Sequence, residues 1–254
     1  MQNNHTTFSF FQYVTAWTVH IFTASAAFIG LLSLIKIHEQ SYTQALWLMA
    51  LTVVIDAIDG TFARLVHVKS VLPKIDGTLL DNIVDYLNYV ITPSFFLLVK
   101  PDMLPPHMAL WITFAITLTS AYQFCQSDAK TPDHFFKGFP CYWNITVFYM
   151  FIFNTSMTTN AWVLSLFCIL IFVPIKYVYP SRLDYLTKSK FLKDLMHSCS
   201  VIYGIASTLI LWQYPTIDSL WLGISFGYII MYLFLSCYRT YYPMILAKIA
   251  VHRT

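Results

Sequence analysis

Long apolar stretches alternate with short polar segments along most of the chain. A helix that crosses a bilayer needs about 20 apolar residues, and most of the stretches approach or exceed that length. Lipid offers no partners to backbone polar groups, so helices are the expected elements, and no alternating, barrel-like pattern is present. The pattern predicts an all-α polytopic membrane protein of about eight transmembrane helices, near residues 14–36, 43–64, 78–99, 107–125, 141–157, 159–179, 197–214 and 219–240.

The composition supports a membrane protein and excludes several other classes of protein. Of the 254 residues, 57% are hydrophobic and only 11% are charged, with a mean hydropathy of +0.61. Soluble domains carry about 25% charged residues. A soluble domain, a disordered chain and a nucleic-acid binder are therefore excluded, and membrane lipids are the expected surroundings. Because no repeat or compositional shift divides the chain, residues 1–254 are expected to form a single integral-membrane domain.

Basic residues are distributed unevenly among the loops. Of the 15 Lys and Arg residues, only Lys36 and Lys100 fall in the loops that follow odd-numbered helices. Cytoplasmic loops are enriched in Lys and Arg, so both termini and the loops after even-numbered helices are predicted to be cytoplasmic. The segment SRLDYLTKSKFLKDL (181–195) is either a cytoplasmic amphipathic helix near anionic headgroups or an ordinary basic loop.

Acidic residues are few, yet five of the 12 lie in one short segment: Asp56, Asp59, Asp76, Asp81 and Asp85. The first two are spaced i,i+3 and the last two i,i+4, so each pair shares a helix face, with Cβ atoms about 5–6 Å apart. A short loop joins the two predicted helices, which are therefore expected to be antiparallel neighbours. Two carboxylate pairs can then meet at one point, beside the cytoplasm.

Carboxylates within a membrane helix are energetically costly, so their presence indicates a function. A central Asp costs about 2.5–3.5 kcal/mol on insertion scales. Four converging carboxylates also repel one another unless cations neutralise them, and ligation by oxygen alone suits Mg²⁺, Mn²⁺ or Ca²⁺ rather than zinc. Two such ions would clamp phosphate oxygens, which indicates phosphoryl chemistry. The alternative is simple acidity at helix ends.

Small and basic residues accompany the acids. Gly60, Ala63 and Gly77 would allow the backbones of the two helices to approach closely. Arg64 suits bidentate contact with phosphate, although its position also fits an ordinary cytoplasmic anchor.

The segment DAIDGTFARLVHVKSVLPKIDGTLLDNIVD (56–85) reads D-x-x-D-G-x-x-A-R-(x)n-G-x-x-x-D-x-x-x-D. It resembles the catalytic signature of the CDP-alcohol phosphatidyltransferase family. The gap of 12 residues between Arg64 and Gly77 is typical of the bacterial branch that uses choline, as are WTVHIFTAS (17–25), VKSVLPKIDGTLLDNIVDY (68–86) and FKGFPCYWN (136–144). All fixed positions of the signature are present: Asp56, Asp59, Gly60, Ala63, Arg64, Gly77, Asp81 and Asp85.

The resemblance implies transfer of a phosphatidyl group from CDP-diacylglycerol to choline, giving phosphatidylcholine and CMP. It further implies a homodimer in the bacterial inner membrane and two divalent ions, Mn²⁺ or Mg²⁺. The implied metal ligands are Asp56, Asp59, Asp81 and Asp85, with Asp85 also the catalytic base for the alcohol. The implied CDP-diacylglycerol contacts are Asp56, Gly60, Ala63, Arg64, Gly77 and Lys137, of which Lys137 is equally a surface anchor.

Choline carries a permanent cation, which aromatic faces can hold. The candidates near the motif and in similar segments are Tyr86, Tyr89, Tyr142, Trp143 and His20, with Trp17 beside the last. The chain holds 21 Phe, 17 Tyr and 7 Trp, so each candidate is also an ordinary core or interfacial residue.

Two other functions stay open. The same chemistry with serine, glycerol phosphate or inositol phosphate would require extra basic residues for an anionic acceptor. An ion-coupled transporter would place acids near the membrane midplane on several helices, with an inverted repeat.

Overall fold

The computed structural model describes residues 8–129, 131, 135–178 and 189–251, with side chains up to residue 242. These residues are predominantly helical, and the predicted all-α membrane class is confirmed. The chain divides into two compact units, one ending at Lys100 and one beginning at Pro101. The single domain expected from the sequence stays a prediction.

The first unit contains the acidic segment. Its elements are α1 (Phe10–His38), α2 (Tyr42–Leu65), α3 (Val68–Val71), α4 (Gly77–Asp85), a π-helix (Tyr86–Ile91) and α5 (Thr92–Val99). The last three elements run without a break and together form one apolar span of 23 residues.

Small residues bring α1 and α2 together. The buried face of α1 includes Ala16, Ala26, Gly30 and Ser33, which recur at helical spacing. Small side chains let helix backbones approach closely in lipid, where packing rather than the hydrophobic effect drives association. Ser33 Oγ also donates a hydrogen bond to the carbonyl oxygen of Ala45, 3.1 Å away on α2.

The second unit combines helices with a two-stranded sheet. Its elements are α6 (Pro106–Cys125), β1 (Phe135–Lys137), α7 (Trp143–Ile152), α8 (Met157–Leu170), β2 (Lys176–Val178), α9 (Lys190–Gln213) and α10 (Ser219–Val251). The strands pair antiparallel, with Phe135 opposite Val178. The Tyr232 hydroxyl on α10 donates to the Val178 carbonyl oxygen at 3.0 Å and ties the sheet to that helix.

Within the described residues, six helices are long and apolar enough to cross a membrane. The two other apolar helices, α7 and α8, have 10 and 14 residues, or about 15 and 21 Å. They are shorter than the predicted spans 141–157 and 159–179. The reasons are local: Asn154 has a left-handed backbone just after α7, and the chain forms β2 where the second span was expected to continue.

The predicted amphipathic segment 181–195 falls largely outside the described residues. Its end, from Lys190 onward, forms the first turns of α9, which begins seven residues before the predicted helix start at 197.

Candidate metal centre

Asp76 fixes the start of α4. Its Oδ1 accepts hydrogen bonds from the backbone N–H groups of Thr78 at 3.0 Å and Leu79 at 3.1 Å, as a helix N-cap does. This cap sets where the helix begins and therefore which face carries Asp81 and Asp85.

Three carboxylates from two helices meet in the first unit. Asp56 on α2 and Asp81 and Asp85 on α4 each offer one oxygen atom, and these oxygens lie within 4.8 Å of one another. All three residues are partly buried. Hard divalent cations bind carboxylate oxygens at about 2.0–2.6 Å, so one ion fits between oxygens with this separation. The group could hold a divalent metal, and a cation there would offset the mutual repulsion of the acids.

Asp59 lies one turn after Asp56 but has different surroundings. Its side chain is buried, at 5% exposure, and hydrogen bonds with the side chain of Thr23 on α1. It does not belong to the group of three that the described residues form. Its role as a metal ligand stays a prediction.

Tyr89 reaches the centre from the π-helix. Its hydroxyl donates a hydrogen bond to Asp56 Oδ2 at 2.7 Å, and the residue is 7% exposed. Tyr86 is half-buried at the beginning of the same π-helix, directly after Asp85.

The other residues of the motif lie along α2. Arg64 is exposed, and its Nη2 donates to Thr61 Oγ1 at 2.9 Å. A Cβ at Gly60 would meet only Arg64 Nη1 nearby, at 3.3 Å. Ala63 packs instead against an apolar cluster that includes Ala16 and Val68. Gly60 and Arg64 therefore border open space, whereas Ala63 faces the packed side of α2.

Gly77 lies against the side chain of His20. A Cβ at Gly77 would come within 3.1 Å of His20 Cε1. His20 is 7% exposed, and Trp17, which is about half exposed, makes an edge-on contact with its ring.

The family model for CDP-alcohol phosphatidyltransferases matches residues 14–174, which include the entire acidic motif. The chain belongs to the CDP-alcohol phosphatidyltransferase family. It is 71% identical over 245 residues to a phosphatidylcholine synthase of Legionella pneumophila, covering 96% of each chain. It is 68% identical to a phosphatidylcholine synthase of Legionella bozemanae, over 85% of this chain and all of that one. A Borreliella burgdorferi phosphatidylcholine synthase is 45% identical over 69% of this chain and 74% of its own.

Three residues predicted as ligand contacts of this family member lie in the second unit. Lys137 on β1 forms an exposed ion pair with Asp128. Tyr142 precedes α7 and makes an edge-on ring contact with Phe136. Their proposed roles with CDP-diacylglycerol and choline stay predictions.

Trp143, also in the second unit, is fully buried. Its Nε1 donates to Ser120 Oγ at 2.8 Å, and its ring packs edge-on against Phe139. These contacts are those of a core residue that satisfies its one polar atom. Its predicted contact with choline stays a prediction.

The sequence did not point to the hydroxyl of Tyr89 or to Thr23 as partners of the acids. The sequence indicates Tyr89 only for the face of its ring, and it gives no reason to single out Thr23. For Tyr89, a usable signal is Pro93, a proline inside an apolar span. Proline disturbs the helix immediately before it, and Tyr89 lies in that part of the helix.

Proposed function

We propose that this chain transfers a phosphatidyl group from CDP-diacylglycerol to choline, giving phosphatidylcholine and CMP. The main structural support is the group of three carboxylates within 4.8 Å, on the motif that the family shares. Relatives with 71% and 68% identity are phosphatidylcholine synthases, which supports choline as the acceptor.

The proposed metal ligands are Asp56, Asp81 and Asp85, with Asp59 as the fourth. Divalent ions, Mn²⁺ or Mg²⁺ and two in number, would neutralise the pyrophosphate and stabilise departing CMP. The choline hydroxyl oxygen forms a bond to the lipid-side phosphorus as the bond from that phosphorus to the CMP oxygen breaks. Asp85 accepts the hydroxyl proton as the new bond forms.

The donor is proposed to lie along the open side of α2. Gly60 leaves room for it, and the exposed Arg64 can offer paired N–H donors to its phosphates. Gly77, Ala63 and Lys137 complete the proposed donor contacts.

Choline is proposed to bind beside Asp85, where a carboxylate and an aromatic ring occur together. Tyr86 is the first aromatic candidate, because it follows Asp85 directly and is only half-buried. The sequence also suggests His20, Tyr142, Trp143 and Tyr89 as acceptor contacts, and among these His20, Trp143 and Tyr89 are buried.

The proposed location is the bacterial inner membrane, with both termini and the centre at the cytoplasmic face. The described residues contain six long apolar helices, and an even number of crossings places both termini on the same side. That number stays even when both of the shorter apolar helices cross and when neither does. The uneven distribution of Lys and Arg gives the orientation. A homodimer is proposed from the family resemblance alone.

The decisive experiment uses the full chain in lipid nanodiscs with CDP-diacylglycerol, labelled choline and Mn²⁺. Labelled phosphatidylcholine and CMP should appear in equal amounts. Labelled serine, glycerol phosphate and inositol phosphate should give no product at matched concentration. A faster reaction with any of these acceptors would contradict choline as the substrate.

A further inference from the structure

The helix that carries Asp81 and Asp85 changes form immediately after the second acid. Residues Tyr86–Ile91 form a π-helix, a widened turn that often occurs at functional sites. Pro93 explains its position, because proline has no N–H to offer the Tyr89 carbonyl four residues earlier and its ring would collide with that oxygen. Thr92 stabilises the wide turn, since both its N–H and its Oγ1 bond the Leu87 carbonyl oxygen, the latter at 3.0 Å.

The π-helix is also attached to α1. Asn88 Nδ2 donates to the Ala26 carbonyl oxygen at 3.1 Å, and Asn88 is 3% exposed. A Cβ at Gly30 would come within 2.2 Å of Asn88 Oδ1, so only glycine permits this approach. Asn88 is thereby held between two turns of α1, which restricts the rotation of the next residue, Tyr89.

Tyr89 then reaches α2. Its hydroxyl donates to Asp56 Oδ2 at 2.7 Å, and Asp56 is the one member of the carboxylate group that α4 does not supply. We propose that Tyr89 is a positioning residue that orients the Asp56 carboxylate for a divalent cation, rather than a ring that contacts choline. This inference rests on the proposed metal-dependent function.

The chemistry favours this role over an aromatic contact with the acceptor. A choline cation needs an accessible ring face, whereas Tyr89 is 7% exposed. A hydrogen bond to Oδ2 restricts the rotation of the Asp56 carboxylate, whose oxygen lies among the three that could hold an ion. Loss of such an outer contact typically lowers metal affinity or activity about 10- to 100-fold.

The test compares Tyr89→Phe with Tyr42→Phe in the full chain. Tyr89→Phe removes only the hydroxyl and keeps the buried ring. Tyr42 lies on the same helix as Asp56, about 21 Å along its axis, and its buried hydroxyl has no hydrogen-bond partner among the described residues. The concentration of free Mn²⁺ is measured by electron paramagnetic resonance in the absence of substrate. We expect about 10- to 100-fold weaker Mn²⁺ binding for Tyr89→Phe and no change for Tyr42→Phe.

Kinetics separate this role from binding of the acceptor. For Tyr89→Phe, activity should recover at saturating Mn²⁺, with the KM for choline unchanged. If Tyr89→Phe leaves the Mn²⁺ affinity unchanged, the proposal is wrong. If it also raises the KM for choline, Tyr89 instead contacts the acceptor. If the unmodified chain itself binds no Mn²⁺, the proposed metal function fails instead. If Tyr89→Phe does not fold, Pro93→Ala replaces it in the same Mn²⁺ titration. This change is expected to move the Tyr89 hydroxyl away from Asp56 without removing it.

Discussion

The His20 imidazole lies so close to Gly77 that a Cβ at residue 77 would approach His20 Cε1 to 3.1 Å. The contact joins α1 to the first residue of α4, immediately after the Asp76 cap. The glycine of the motif therefore has a packing role that a purely ligand-based reading of the motif omits. This approach lies at the start of α4, the helix that carries Asp81 and Asp85.

Gly77→Ala should destabilise the protein through this contact. Overpacking typically costs about 1–3 kcal/mol, and the expected cost lies near or below the lower end because a Cβ would crowd one imidazole edge and alanine favours a helix more than glycine does. The same change in a His20→Ala background should cost much less, because the imidazole is absent. The free energy of unfolding of the two single variants and the double variant measures the coupling. An equal cost in both backgrounds would show that the contact with His20 is not its cause.

Replacing any of the three clustered acids should lower turnover, whereas replacing Asp76, which caps α4, should not. Asp56→Asn, Asp81→Asn and Asp85→Asn should each lower turnover at least about 100-fold, because direct ligands contribute more than the outer contacts that support them. Asp76→Asn is the matched control, since Asn caps a helix about as well as Asp. Initial rates with CDP-diacylglycerol and choline test this. Comparable losses for Asp76→Asn would indicate a general need for negative charge.

Asp59 should behave differently from Asp56. Its carboxylate is buried beside Thr23 and lies outside the group of three. We therefore expect Asp59→Asn to weaken Mn²⁺ binding less than Asp56→Asn does, as read by the same resonance titration. Equal weakening would show that Asp59 contributes as much to ion binding as Asp56 does, despite its burial beside Thr23.

Metal removal should affect stability as well as activity. A chelator should stop turnover, and added Mn²⁺ should restore it. An ion at 100 times its dissociation constant stabilises the folded state by about 2.7 kcal/mol when the unfolded chain does not bind it. Mn²⁺ should therefore raise the unfolding temperature of the unmodified chain but not that of Asp56→Asn. An equal rise in both would place the ion elsewhere.

The Asp128–Lys137 ion pair gives a pH-dependent prediction. The Lys137 ammonium donates to Asp128 and, with its charge, lowers the pKa of that carboxyl below its ordinary value. The pair therefore contributes stability above the ordinary Asp pKa, and this contribution is lost as the pH falls through the lowered pKa. Lys137→Met should melt slightly below the unmodified chain at neutral pH, and the difference should vanish on acidification.

Activity distinguishes the two interpretations of Lys137. A role in donor binding predicts that Lys137→Met raises the KM for CDP-diacylglycerol while Asp128→Asn does not. If both variants change the KM for CDP-diacylglycerol equally, Lys137 has a structural role in the ion pair and no role in donor binding.

Hydropathy predicts the long helices well, because each crossing must bury nearly all its residues in lipid or in protein. The predicted helices at residues 43–64 and 107–125 agree closely with α2 and α6. Hydropathy fails at the ends of two helices. The chain leaves α7 through a left-handed backbone at Asn154, and apolar residues after α8 continue into β2. Apolar character reports burial, and it does not distinguish a helix from a buried turn or strand.

The motif spacing predicts that the acids share helix faces, since that spacing is local. It does not fix how α2 and the π-helix are aligned with each other. That alignment decides whether Tyr89 offers its ring or its hydroxyl, and it depends on contacts with α1 that are distant in sequence. The side-chain bond between Asn88 and the Ala26 carbonyl is such a contact.

Pro93→Ala should reveal how much the π-helix contributes to the centre. Alanine restores the N–H that a regular α-helix uses, so the widened turn loses its main cause and Tyr89 should rotate away from Asp56. We expect Mn²⁺ binding to weaken as for Tyr89→Phe, and the double variant to be no weaker than either single one, because both changes remove the same hydrogen bond. The resonance titration of all three variants measures this. Additive losses would show that Pro93 acts on the centre by a route other than Tyr89.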